Sequence, residues 1–148
     1  MNHLVHLARR LFTSLVSKDV SEAELTTVRS KLRANEYELW LQFAIVDRRH
    51  SVLVAARFTA LRPEASDNEI AGVLLHDIGK ISSNLSTLQR VIATVVGPRT
   101  KRFALYHQHE EIGADMLRRA GSHSEVIAMV NQTCSADAAD AFHGADNI

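Results

Sequence analysis

The stretch Leu74-Leu75-His76-Asp77-Ile78-Gly79-Lys80 reads as an apolar helix running into two metal-ligating residue types and then a glycine. Neighbouring residues on an α-helix point about 100° apart. His76 and Asp77 therefore reach one ion only if the helix ends or bends there, and Gly79 supplies that opportunity. An imidazole nitrogen beside a carboxylate oxygen suits Mn, Fe, Zn, Co or Mg. A closed site needs more donors from elsewhere in the chain. His50, after Arg48 and Arg49, is one candidate, and Asp146, near the C-terminus, is another.

Outward from this stretch the pattern is helical. Ser66 with Glu69 forms a capping-box signature that opens the helix leading into Leu74, Leu75 and the pair. Ser21 with Glu24 makes a second such signature and Ser122 with Glu125 a third. Asn35 is read as the cap of a helix carrying Leu39, Trp40, Phe43 and Val46. Asp47 is read as the cap of the helix through His50, Val54 and Phe58, which stops before Pro63. Residues 2–17 place Leu4, Ala8, Leu11, Phe12, Leu15 and Val16 on one face. Residues 84–96 form another amphipathic stretch, 103–120 are helical with Gly121 as C-cap, and a last helix covers 137–147. Alternating β-branched runs with hairpin turns are missing. The expected fold class is all-α, a single-domain bundle of seven or eight helices.

Composition narrows the function classes. Over 148 residues, Lys plus Arg and Asp plus Glu both number 17, so the formal net charge is zero. A broad nucleic-acid surface needs a basic excess, so no nucleic-acid partner is expected, while a small anionic ligand needs only a local positive patch. No apolar run approaches the roughly 18 residues of a membrane span. Arg9 and Arg10 interrupt the apolar N-terminus before a signal-peptide core forms. The first helix, basic through Arg9, Arg10 and Lys18, is read as facing the core rather than a membrane surface. The single cysteine, Cys134, allows no intrachain disulfide, and a cytoplasmic location fits.

The HDIGK core resembles the HD-domain superfamily of metal-dependent phosphohydrolases, in its HDIG variety. The family pattern is a histidine, an HD pair and a final aspartate inside a helical bundle. The resemblance implies metal ligands at His50, His76, Asp77 and Asp146, with residues 47–148 as the HD domain and 1–46 as N-terminal helices packed on it. The run from Phe103 to Ser122 is similar to a family stretch reading His-Pro-x-x-Gly-Ala, with His109 at the histidine, Glu110 in place of the proline, then Gly113 and Ala114. Ser86 to Gly97 is similar to a stretch of small bacterial HD proteins. Many HDIG members carry further histidines after this region, where this chain has Thr133 and Cys134. One divalent metal rather than two is therefore expected, unless the Cys134 thiolate serves as a ligand. The GYP segment of cyclic-di-GMP phosphodiesterases is missing.

What the resemblance implies is hydrolysis of a nucleotide or other small phosphate ester. Asp77 orients or deprotonates a water, and Lys80 and His109 offset charge on the phosphate or protonate the leaving group. The alternative is a catalytically weakened module that binds a metal or nucleotide for regulation. A di-iron oxygenase needs the fuller histidine set. His3, His6, His107, His123 and His143 are expected at the surface, and Cys134 buried or half-buried.

Overall fold

The computed structural model describes residues 18–83 and 108–147. Seven α-helices and one 3-10 helix account for most of them, and no strand occurs among the described residues. The stretches at 2–17 and 84–96, the start of the stretch at 103–120, and His3, His6 and His107 lie outside the described residues.

Helix α1 spans Glu22–Lys31 and opens on the expected capping box, with Ser21 and Glu24 bonded reciprocally. Helix α2 spans Ala34–Trp40, but its cap is Arg33 and not Asn35. The Glu36 carboxylate accepts the Arg33 backbone N–H at 2.8 Å, and the Asn35 amide is used elsewhere, donating to the Ala120 carbonyl at 3.2 Å. Helix α3, Ile45–Leu61, is capped by Ala44, three residues before the Asp47 cap expected from the sequence. Asp47 sits in the first turn, where a carboxylate complements the positive helix end. Helix α4, Asp67–Leu74, has the predicted Ser66–Glu69 capping box.

The 3-10 helix Ile78–Ser83 follows, and α5 covers His109–Ala120. Gly121 closes α5 at φ 76°, and the Ser122 N–H returns to the Leu117 carbonyl at 3.0 Å. Ser122 thus belongs to that turn rather than capping the next helix. The cap of α6, Ser124–Val130, is His123, whose Nδ1 accepts the Glu125 N–H. Helix α7, Ala136–Asp146, starts and stops one residue earlier than the expected 137–147.

Helix α4 lies at the centre, packed against α1, α3 and α6, while α7 lies on α3 and α5 on the 3-10 helix and α6. Close contact of α4 with α6 depends on Gly72, because a Cβ there would overlap the Met129 side chain. Trp40, Phe58, Leu75, Ile78, Leu117 and Met129 are the largest fully buried apolar side chains among the described residues. Each such burial stabilises by roughly 1.5–3 kcal/mol before chain entropy is counted. Trp40 donates its indole N–H to Ser51 Oγ at 2.9 Å, so the buried ring leaves no orphan donor. No helix among the described residues is long and apolar enough to cross a membrane.

Candidate metal centre

Helix α4 stops ahead of the His-Asp pair, not at Gly79. Its last α-helical residue is Leu74, and the chain turns through Leu75, His76 and Asp77 before restarting as the 3-10 helix. Two forces fix this turn. Leu75 and Ile78 are both fully buried, which requires them on the same inward side. The His76 ring also caps the helix, Nδ1–H donating to the Val73 carbonyl at 2.7 Å. That carbonyl belongs to the last turn, where the regular helical bonds run out, and it otherwise accepts only weakly, from the His76 backbone N–H at 3.4 Å and the Leu75 N–H.

The cap sets the chemistry of the ring. With the proton on Nδ1, Nε2 presents a lone pair. This Nε2 is buried and has no hydrogen-bond partner. Around it lie Asp77 Oδ2 at 3.5 Å and Asp146 Oδ1 at 3.7 Å, and His50 Nε2 is 2.9 Å from the same Asp146 oxygen. The ligating atoms of His50, His76 and Asp77 all lie within 4.8 Å of one another, and Asp146 joins them through both imidazoles. Ligands at about 2.1 Å from one cation stand about 3.0–3.4 Å apart along octahedral or tetrahedral edges. The spacings of 2.9, 3.5 and 3.7 Å lie near such a shell, and a mixed N,O donor set suits a divalent ion.

The donors come from three places: α3, the turn behind α4 that carries both His76 and Asp77, and the end of α7. His50 stands on the second turn of α3. Asp146 is the last residue of α7, where chains commonly fray. Here Phe142 and Ala145 are buried and hold the helix end, and the Phe142 ring meets the His76 ring edge-on at 5.1 Å. The sequence offered no signal for the Phe142 contact or the Val73 carbonyl.

Burial pushes the Asp77 carboxyl up, but the neighbouring charges outweigh it and hold it well below the usual carboxylate range. Lys80 contributes most to that lowering, followed by His76, His109 and His50. The Lys80 ammonium lies 2.6 Å from Asp77 Oδ2 and is itself buried. Asp146 is likewise lowered: burial raises it, while the hydrogen bond from His50 and the neighbouring His76 and His50 imidazoles prevail.

His109 stands at the first residue of α5 with Nε2 3.4 Å from Asp77 Oδ1. Gly79 puts it there. Its φ is not positive, so its role is not the bend expected from the sequence. A Cβ on Gly79 would overlap the His109 carbonyl oxygen and crowd Gly113, so the 3-10 helix and α5 touch backbone to backbone. Gly113 and Ala114, one turn further along α5, are buried in the same seam.

Thr133 and Cys134 do not extend the centre. Thr133 is exposed and bonded to Asn131, while the half-buried Cys134 senses Glu69 and Arg62 near the far end of α3. From His50 to Arg62 along α3 is about 18 Å at the helical rise. The Cys134 thiolate, the fallback ligand, is not among the side chains gathered at the centre, and burial raises its pKa first of all.

A family model described as HD domain matches residues 48–142, well over half of the chain. The chain belongs to the HD-domain family, within the superfamily of metal-dependent phosphohydrolases. His50, His76 and Asp77 fall inside the matched stretch, and Asp146 just beyond it. A search of curated proteins and a search of solved structures each found no match.

Proposed function

We propose that this chain hydrolyses a nucleotide or other small phosphate ester, using one divalent cation held by His50, His76, Asp77 and Asp146, in the cytoplasm. The buried Nε2 of His76, unpartnered and facing two carboxylates and a second imidazole, carries this proposal. An acceptor lone pair left in that position costs about 1–3 kcal/mol unless something electrophilic meets it. Mn, Fe, Zn, Co and Mg all suit the donors. When bound, such an ion supplies positive charge for a phosphoryl oxygen and makes water a better nucleophile near neutral pH.

The chain's own groups divide the remaining work. Val73 fixes the His76 tautomer through its carbonyl. Lys80 keeps Asp77 ionised and fixes its Oδ2, so Lys80 acts on the carboxylate before it acts on any phosphate. Asp77 Oδ1 faces His109, whose partly exposed ring is placed to pass a proton to a departing alkoxide.

A second reading, a regulatory module that binds a metal or nucleotide without turnover, draws on Thr133 and Cys134. Neither supplies a donor to the centre, so a second cation lacks the ligands found in fuller family members. Metal-loaded protein incubated with a general phosphatase substrate and a nucleotide panel separates the two. Hydrolysis that His109→Ala reduces by about a hundredfold or more supports catalysis. Saturable nucleotide binding with no turnover under any of the five ions contradicts it.

A further inference from the structure

Two helices of this protein end in the same way but with different residues. Behind α5, Gly121 takes φ 76°, and the next N–H bonds the Leu117 carbonyl. Behind α6, Gln132 takes φ 59°, and the Thr133 N–H bonds the Ala128 carbonyl at 2.9 Å. Both are helix ends that demand a left-handed residue, for which glycine is the unstrained choice. Gln132 is the one non-glycine residue with positive φ among the described residues. Backbone geometry alone gives no reason to place a glutamine there.

The side chain gives one. Gln132 Nε2 donates to Glu110 Oε1 at 2.7 Å, and its Oε1 accepts from His143 Nε2 at 3.0 Å. Glu110 directly follows His109 at the start of α5. His143 lies one turn before Asp146 on α7, on the same side of that helix. One amide thus joins the two helices whose ends carry His109 and Asp146 to the centre. A glycine at 132 would relieve the backbone and remove the joint.

We propose that Gln132 is a positioning residue of the metal centre, fixing the first turn of α5 relative to the last turn of α7. This rests on the centre's being a metal site. The strain at residue 132 persists because the bridge is retained, as strained residues persist where the surroundings over-determine them. His143, exposed as expected from the sequence, is the α7 anchor of this bridge.

The test compares Gln132→Gly, Gln132→Asn, His76→Ala and the parent protein. Thermal unfolding of the metal-free proteins is measured beside Mn²⁺ affinity and the visible spectrum of the Co²⁺-loaded form. Asparagine tolerates the left-handed conformation but is one methylene too short to span both partners. Both Gln132 variants should unfold at or above the parental temperature, yet bind Mn²⁺ roughly tenfold more weakly, the lower end for residues that support metal ligands. Their Co²⁺ spectrum should shift. Parental affinity and spectrum in both variants, or a loss of affinity that only tracks a loss of stability, overturns the proposal. Mn²⁺ binding by His76→Ala at parental strength is a different failure, since it removes the metal site itself.

Discussion

The two ends of α4 both bury charge, and they do so to opposite effect. At the N-terminal end Glu69 closes the capping box on Ser66, and both its oxygens are bonded to Arg62, at 3.1 Å each. Ser66 Oγ in turn reaches Glu125 on α6. Donors and acceptors balance there, and the cluster ties α3, α4 and α6 together. At the C-terminal end His76 Nε2 is buried without a partner, among two carboxylates and a second imidazole. A balanced buried cluster stabilises a fold, whereas an imbalance of acceptors marks a place for a cation.

The strongest challenge to this contrast is Gly79→Ala. A methyl there meets backbone, which cannot swing aside as a side chain can. The variant should lose about 3 kcal/mol in denaturant unfolding. It should also separate His109 from Asp77, lowering turnover more than Mn²⁺ affinity. Glu69→Ala tests the opposite end. Loss of the box and of the bonds to Arg62 should cost about 2 kcal/mol, while metal affinity per folded molecule stays parental.

Acid sharpens the comparison further. The folded pKa of Asp77 lies below its unfolded value, so its contribution is full above the ordinary carboxylate pKa and fades as pH falls below it. Urea unfolding of metal-free protein between pH 5 and pH 2, ordinary conditions for carboxylate titration, should show this loss. Asp77→Asn should flatten that part of the curve. The smallest effect belongs to Gly121→Ala. No atom lies near a Cβ added there, so only backbone strain at φ 76° remains, about 1 kcal/mol, with metal affinity unchanged.

Much of this was legible in the residues themselves. Capping boxes at Ser21 and Ser66 announced α1 and α4 because their signal is local: one hydroxyl, one carboxylate, three residues apart. Asn35, Asp47 and Ser122 misled for the same reason. Each has a cap's side chain, but a neighbour (Arg33, Ala44 or His123) took the position once tertiary contacts were counted. His50, His76, Asp77 and Asp146 were placed together through the family resemblance, not through spacing, since 96 residues separate His50 from Asp146. The role of Gly79 was misread because a sequence shows that glycine permits a bend but not that another backbone presses on it. The bridge through Gln132 had no sequence signal beyond the one-turn spacing of His143 and Asp146.

The centre at the end of α4 is tested most directly by elemental analysis of protein purified without chelator and equilibrated with divalent ions, parent beside His76→Ala. One firmly held ion per parent chain and none in a variant that remains folded is the expected result. A metal-free parent, or equal metal content in both proteins, would contradict it.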